Sequence, residues 1–199
     1  MVTRSLITRQ ESLVTQREYL RSLNQDRKKL KRDIMKVRPL KYISTCIALQ
    51  EVPDEISLII NVSGCPHHCE NCHSQYLWEY TGRDLTTNIQ DLINEYKEYI
   101  SCICLMGGDY NVGELNYVFN LIANNGLKAC FYTGLNHIPI GLIMLDYIKI
   151  GEYKKELGGL DKLTTNQRFY KNVNGQYKDI TNVFQTKEML YVKDNQESR

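Results

Sequence analysis

The 199-residue sequence contains no uninterrupted apolar run of the length needed to cross a bilayer as a helix, about 20 residues. It also shows no basic-then-apolar leader of the secretory kind. These absences predict a soluble, cytoplasmic protein with no membrane partner. A large excess of one charge is missing too, because the net charge is only +2, and nucleic acid is not the expected partner. In a reducing compartment structural disulfides are rare, so the seven cysteines read as thiols and metal ligands. With 42% hydrophobic residues the chain can bury one sizeable core, which suggests one domain plus an extension.

The small net charge hides an asymmetry. Residues 1–37 carry ten Lys or Arg against four Asp or Glu, a net of +6, which leaves −4 for the rest. Within that stretch Leu6, Leu13, Leu20, Leu23, Leu30 and Ile34 recur at spacings of three, four and seven, the pattern of an amphipathic helix. Arg9, Gln16 and Arg27 interrupt the seam, so a strong coiled coil is not expected. Such a helix suits docking, dimerisation or a weak nucleic-acid patch, or it is simply solvated. Residues 1–34 are therefore expected to be a basic extension, and 35–199 the functional domain.

Three cysteines share one short loop, Gly64-Cys65-Pro66-His67-His68-Cys69-Glu70-Asn71-Cys72-His73. The loop follows the β-branched run 56–62, which would bring three thiolates to the carboxyl end of a strand. Iron–sulfur clusters usually take four Cys ligands, so three leave one iron of a cubane open. An open position is what separates a catalytic metal from a closed structural one. The competing reading is a Cys3His zinc site with His67, His68 or His73 as fourth ligand, but no second Cys/His pair of the structural-zinc kind follows. Cys46, Cys102, Cys104 and Cys130 lie in apolar strand-like runs and are expected in the core.

Downstream, the apolar pattern alternates between strand and helix periods. Strands are predicted at 40–50, turned by Pro53-Asp54, and at 56–62, 102–106, 127–133 and 146–150. One helix is predicted from a capping box at Thr87–Gln90, with Ile89, Leu92, Ile93, Tyr96 and Ile100 on one face. Leu115, Val118, Phe119 and Ile122 mark a second, ended at Asn125-Gly126. Alternating strands and helices predict an α/β fold with a mainly parallel sheet. The chain is too short for a closed eight-stranded barrel of about 250 residues, so an open partial (βα) barrel is expected, with its active site at the carboxyl ends of the strands. The strand at 102–106 runs into Met106-Gly107-Gly108-Asp109, where two glycines permit close approach of backbone to a ligand. Tyr132-Thr133-Gly134 and Lys149-Ile150-Gly151 close strands on the same expected face.

The C-x3-C-x2-C spacing after a first strand resembles the signature of radical S-adenosylmethionine (SAM) enzymes. The Gly107-Gly108-Asp109 turn looks like their Gly-Gly-Glu motif, with Asp109 in place of Glu. The run Cys72-His73-Ser74-Gln75-Tyr76-Leu77-Trp78 followed by Gly82, and Gly158-Gly159-Leu160 ahead of Thr164-Thr165-Asn166-Gln167-Arg168-Phe169-Tyr170, are similar to the activating proteins of anaerobic ribonucleoside-triphosphate reductase. That similarity covers residues 35 to about 170.

The resemblance implies a [4Fe–4S] cluster on Cys65, Cys69 and Cys72, with SAM chelated to the open iron through its amino and carboxylate groups. It further implies that a reduced cluster cleaves SAM to methionine and a 5′-deoxyadenosyl radical. Gly107, Gly108 and Asp109 would meet the SAM amino group, and Lys149 resembles a strand lysine near the active site of related activases. Many members place an aromatic residue just before the third Cys to pack on adenine. Here that position is Asn71, and His73, just after Cys72, would have to supply the ring.

The implied substrate is a backbone glycine near the C-terminus of the large, class III reductase subunit, with a flavodoxin- or ferredoxin-type electron donor. Three alternatives stand beside it. They are an activase of another glycyl-radical enzyme such as pyruvate formate-lyase, a radical SAM enzyme acting on a small molecule, and a non-enzymatic zinc-binding interaction module.

Overall fold

A computed structural model describes residues 38–185, and the predicted basic helix lies outside the described residues. The two apolar runs around Pro53-Asp54 form an antiparallel hairpin of β1 (Lys41–Ala48) and β2 (Ser57–Val62). β2 then begins a parallel set with β4 (Cys102–Met106), β5 (Lys128–Tyr132) and β6 (Tyr147–Ile150). A two-residue strand, β3 (Arg83–Asp84), pairs outside β1, and an antiparallel hairpin of β7 (Arg168–Val173) and β8 (Gln176–Asp179) adds to β6. The order is β3-β1-β2-β4-β5-β6-β7-β8. Among the described residues this is the open α/β sheet expected, with β3 and β8 as edges and no barrel closure.

Among the described residues two helices cover one face, α1 (Leu85–Tyr96) and α2 (Val112–Asn124). Leu85, Ile89 and Ile93 of α1 and Leu115, Phe119 and Ile122 of α2 pack on Leu58, Ile60, Ile103, Leu105 and Phe131 of the sheet. Burying each such side chain stabilises the fold by roughly 1.5–3 kcal/mol. Strand side chains alternate, so Ile59, Cys102, Cys104, Cys130 and Tyr147 point to the opposite face and pack with Val52 and Phe169. Three of the four cysteines expected in the core are buried there. Cys46 is exposed instead, because the far half of β1 is poorly covered, and its neighbour Ile47 is exposed as well.

One further expectation is corrected. α1 starts two residues before Thr87, capped by Asp84, whose carboxylate accepts the Thr87 N–H at 2.9 Å. Leu85 is fully buried, and placing it in the first turn moves the helix start forward. No helix spans 133–146 between β5 and β6. The segment is instead clasped by Asn116 of α2, which donates to the Gly141 carbonyl at 2.8 Å and accepts the Ile143 N–H at 3.0 Å. The β7–β8 hairpin turns through Asn174 and Gly175, both at positive φ, as a tight hairpin requires.

At the amino end of the parallel strands lies a buried carboxylate. Glu55, with its side chain 2% exposed, accepts from Lys128 Nζ and, at 2.7 Å, from the Tyr147 hydroxyl. Burial alone would raise its carboxyl, but hydrogen bonds from Lys128, Ser101 and Tyr147 hold it below the ordinary carboxylate range. A depressed folded-state value contributes stability above the unfolded value, and that contribution is lost as pH falls through the folded one. Glu55→Gln is therefore expected to cost about 2 kcal/mol near neutral pH and to flatten the acid limb of the melting temperature against pH. An unchanged acid limb in calorimetric melts would show that Glu55 carries no such linkage.

Candidate metal centre

Each parallel strand delivers one part of the site at its carboxyl end. Beyond β2, the Ser63 hydroxyl donates to the Thr81 carbonyl at 2.5 Å, and the Cys65 N–H donates to the Leu77 carbonyl at 2.9 Å, closing the cysteine loop on itself. Within it the Cys72 N–H donates to the Cys69 carbonyl at 3.1 Å, and the Ser74 N–H approaches Cys72 Sγ at 3.3 Å. His68 stacks on Trp78 with ring centroids 4.8 Å apart. Asn71 takes up a left-handed conformation (φ 57°), which asparagine tolerates better than most residues.

Cys65, Cys69 and Cys72 are free thiols, each half-buried, and all three line one cavity of about 170 Å3. Among the described residues no three His, Cys, Asp or Glu side chains meet at a single metal ion. The thiols line a shared cavity instead, which fits a cluster whose cysteines bind different irons. Burial pushes the Cys65 thiol up, opposed by the backbone N–H groups of His67 and His68.

The far wall comes from β4, β5 and β6. Gly107 and Gly108 both have positive φ (92° and 107°) and swing Asp109 into the cavity wall, with its side chain 5% exposed. Asp109 Oδ2 accepts from Thr133 Oγ1 at 2.6 Å and lies 2.5 Å from His67 Nε2. That carboxylate contact raises the His67 imidazole. Gly134 leaves room for the same ring, since a Cβ there would stand 2.6 Å from it. From β6, Lys149 Nζ donates to the Gly151 carbonyl at 2.5 Å, and burial lowers its ammonium to about 8.

With this geometry in view, the relatives decide the family. The anaerobic ribonucleoside-triphosphate reductase-activating protein of Enterobacteria phage T4 is 30% identical over 141 residues, which span 61% of this chain and 87% of that one. The chain belongs to that family of radical SAM activating proteins. Residues 56–137 match a family model described as a 4Fe-4S single cluster domain, the segment that contains all three loop cysteines and the Gly-Gly-Asp turn. Among solved structures, QueE from Escherichia coli aligns with a TM-score of 0.47 at 12% identity, covering 80% of this chain and 77% of that one. Among the described residues no helix is long and apolar enough to cross a membrane.

In this chain the residues singled out from the sequence divide into two groups. Cys65, Cys69, Cys72, Gly107, Asp109 and Lys149 line one cavity. Gly108, Asn71 and His73 do not. A Cβ on Gly108 would meet Leu40 and Leu115 side chains at 3.1 and 3.2 Å, so this glycine faces the core. Asn71 is exposed, and the His73 ring meets Tyr153 edge-on at 5.1 Å. Sequence reasoning missed Tyr153 and the separate role of Gln167. The buried Gln167 amide donates to the Gly151 carbonyl at 3.4 Å, and both residues line the cavity. His67, considered only as a zinc ligand, is the partner of Asp109.

Proposed function

We propose that this chain is a glycyl-radical activating enzyme, a radical SAM oxidoreductase that uses a [4Fe–4S] cluster and SAM to install a radical on anaerobic (class III) ribonucleoside-triphosphate reductase. The observation that carries the reading is that three free thiols and a buried aspartate, delivered by different strand ends, line one cavity. When bound, the cluster would supply the electron that cleaves SAM into methionine and a 5′-deoxyadenosyl radical, which takes a hydrogen atom from the target glycine.

The chain's own residues have three tasks in this reading. Cys65, Cys69 and Cys72 hold three irons. Asp109 accepts hydrogen bonds from the SAM amino group, and Gly107, with no side chain, lets the ligand approach the backbone. Lys149 presents a buried cation on the same wall, suited to the SAM carboxylate. The functional domain in this reading is 35–199, which carries all the residues assigned a role here, and the basic stretch 1–34 is an extension to it in sequence.

The test is direct. Mixed anaerobically with SAM, a reductant such as reduced flavodoxin, and the matching reductase, the protein is expected to produce a doublet in electron paramagnetic resonance. The splitting comes from the one remaining α-hydrogen of a glycyl radical, so α-deuterated glycine should collapse it. SAM cleavage without any radical on the reductase would reject this substrate and leave the chemistry standing.

A further inference from the structure

We propose that Thr133 is the positioning residue for Asp109, fixing which carboxylate oxygen is presented to the ligand; the inference rests on the proposed contact between Asp109 and SAM. Asp109 follows two glycines in left-handed conformations, so the local backbone does little to hold its side chain. Thr133, 2% exposed, closes β5, and its own N–H donates to the Lys149 carbonyl at 2.9 Å, which ties it to the sheet.

Its hydroxyl has a defined polarity. The Leu135 N–H donates to Thr133 Oγ1 at 3.0 Å, and the hydroxyl in turn donates its single proton to Asp109 Oδ2 at 2.6 Å. His67 Nε2 lies on the same oxygen. Both contacts fall on Oδ2, which leaves Oδ1 as the acceptor for an ammonium group. The two holders differ in kind. His67 sits between two cluster cysteines on a loop, whereas Thr133 sits at a sheet strand end, and only the second can fix the carboxylate independently of the cysteine loop.

The experiment uses the full chain, reconstituted with its cluster, and measures SAM affinity by anaerobic calorimetry alongside iron content, melting temperature and the kinetics of SAM cleavage. Thr133→Val keeps shape and removes the proton. It is expected to weaken SAM binding about tenfold, the worth of one charge-assisted hydrogen bond, and to raise KM while kcat at saturating SAM stays near wild type. Thr133→Ser, which restores the hydroxyl, should return affinity to within about twofold. In an Asp109→Ala background, Thr133→Val should add no further loss, since the two residues act as one unit. Should Thr133→Val fail to fold, Thr133→Ala takes its place. Wild-type affinity in the Thr133 variant, or losses that multiply in the double variant, would overturn the inference. Wild-type affinity in Asp109→Ala alone would instead remove the reading of Asp109 as a ligand contact, and this inference with it.

Discussion

Replacing Cys65, Cys69 and Cys72 together by alanine is expected to leave anaerobically reconstituted protein with no cluster iron, no labile sulfide and no visible absorbance. Each single replacement should also abolish a stable cluster, because two thiolates around the cavity leave two irons of a cubane without protein ligands. Cys46→Ala is the matched control. That thiol is exposed on β1 and is not part of the cavity wall, so its loss should leave iron content unchanged. Cys102, Cys104 and Cys130 are buried in the core on the other face from the helices and supply no alternative ligands. Full iron content in the triple variant would sink the assignment of the centre.

Gly108→Val is expected to damage the fold rather than the ligand site. At φ 107° a β-branched residue is strained, and its Cβ would press on Leu40 and Leu115. Backbone strain and overpacking each cost roughly 1–3 kcal/mol, about 4 kcal/mol together. Since domains are stable by only about 5–15 kcal/mol, the variant should melt at least about 10 °C lower or fail to accumulate. A Gly108→Val protein that melts like wild type but binds SAM poorly would show that this glycine faces the ligand after all.

The cysteine loop was legible because its three cysteines lie within eight residues of each other, and chemistry at that spacing has few other uses. The Gly-Gly-Asp turn was legible from its place at the end of a strand. Which glycine faces the ligand was not, because the answer depends on Leu40 and Leu115, which the local sequence cannot bring to residue 108. The strand end that carries Thr133 was legible too, but its contact with Asp109 was not, and Gln167 was hidden for the same reason: it reaches the cavity from a later strand, and a glutamine carries no spacing signal of its own.

Helix and strand alternation gave the parallel sheet. The misplaced helix start and the segments left unassigned have local causes. Thr87 with Gln90 fits a capping box as well as Asp84 fits a cap, and only the burial of Leu85 chooses between them. Between β5 and β6, Pro139 and Gly141 break an otherwise apolar stretch that cannot continue as a helix. The β7–β8 hairpin did carry a signal, the Asn174-Gly175 pair, but its flanking residues are mostly polar, with only Phe169 fully buried.

The Glu55, Lys128 and Tyr147 cluster sits at the opposite end of the parallel strands from the thiols. Robustness and reactivity are thereby housed at separate poles of one sheet. Substitutions that toughen the amino-terminal pole can accumulate without disturbing the cavity at the other, and loops around the thiols can vary while the far pole keeps the scaffold folded. For an engineer seeking a hardier activase, the amino-terminal pole is the place to begin.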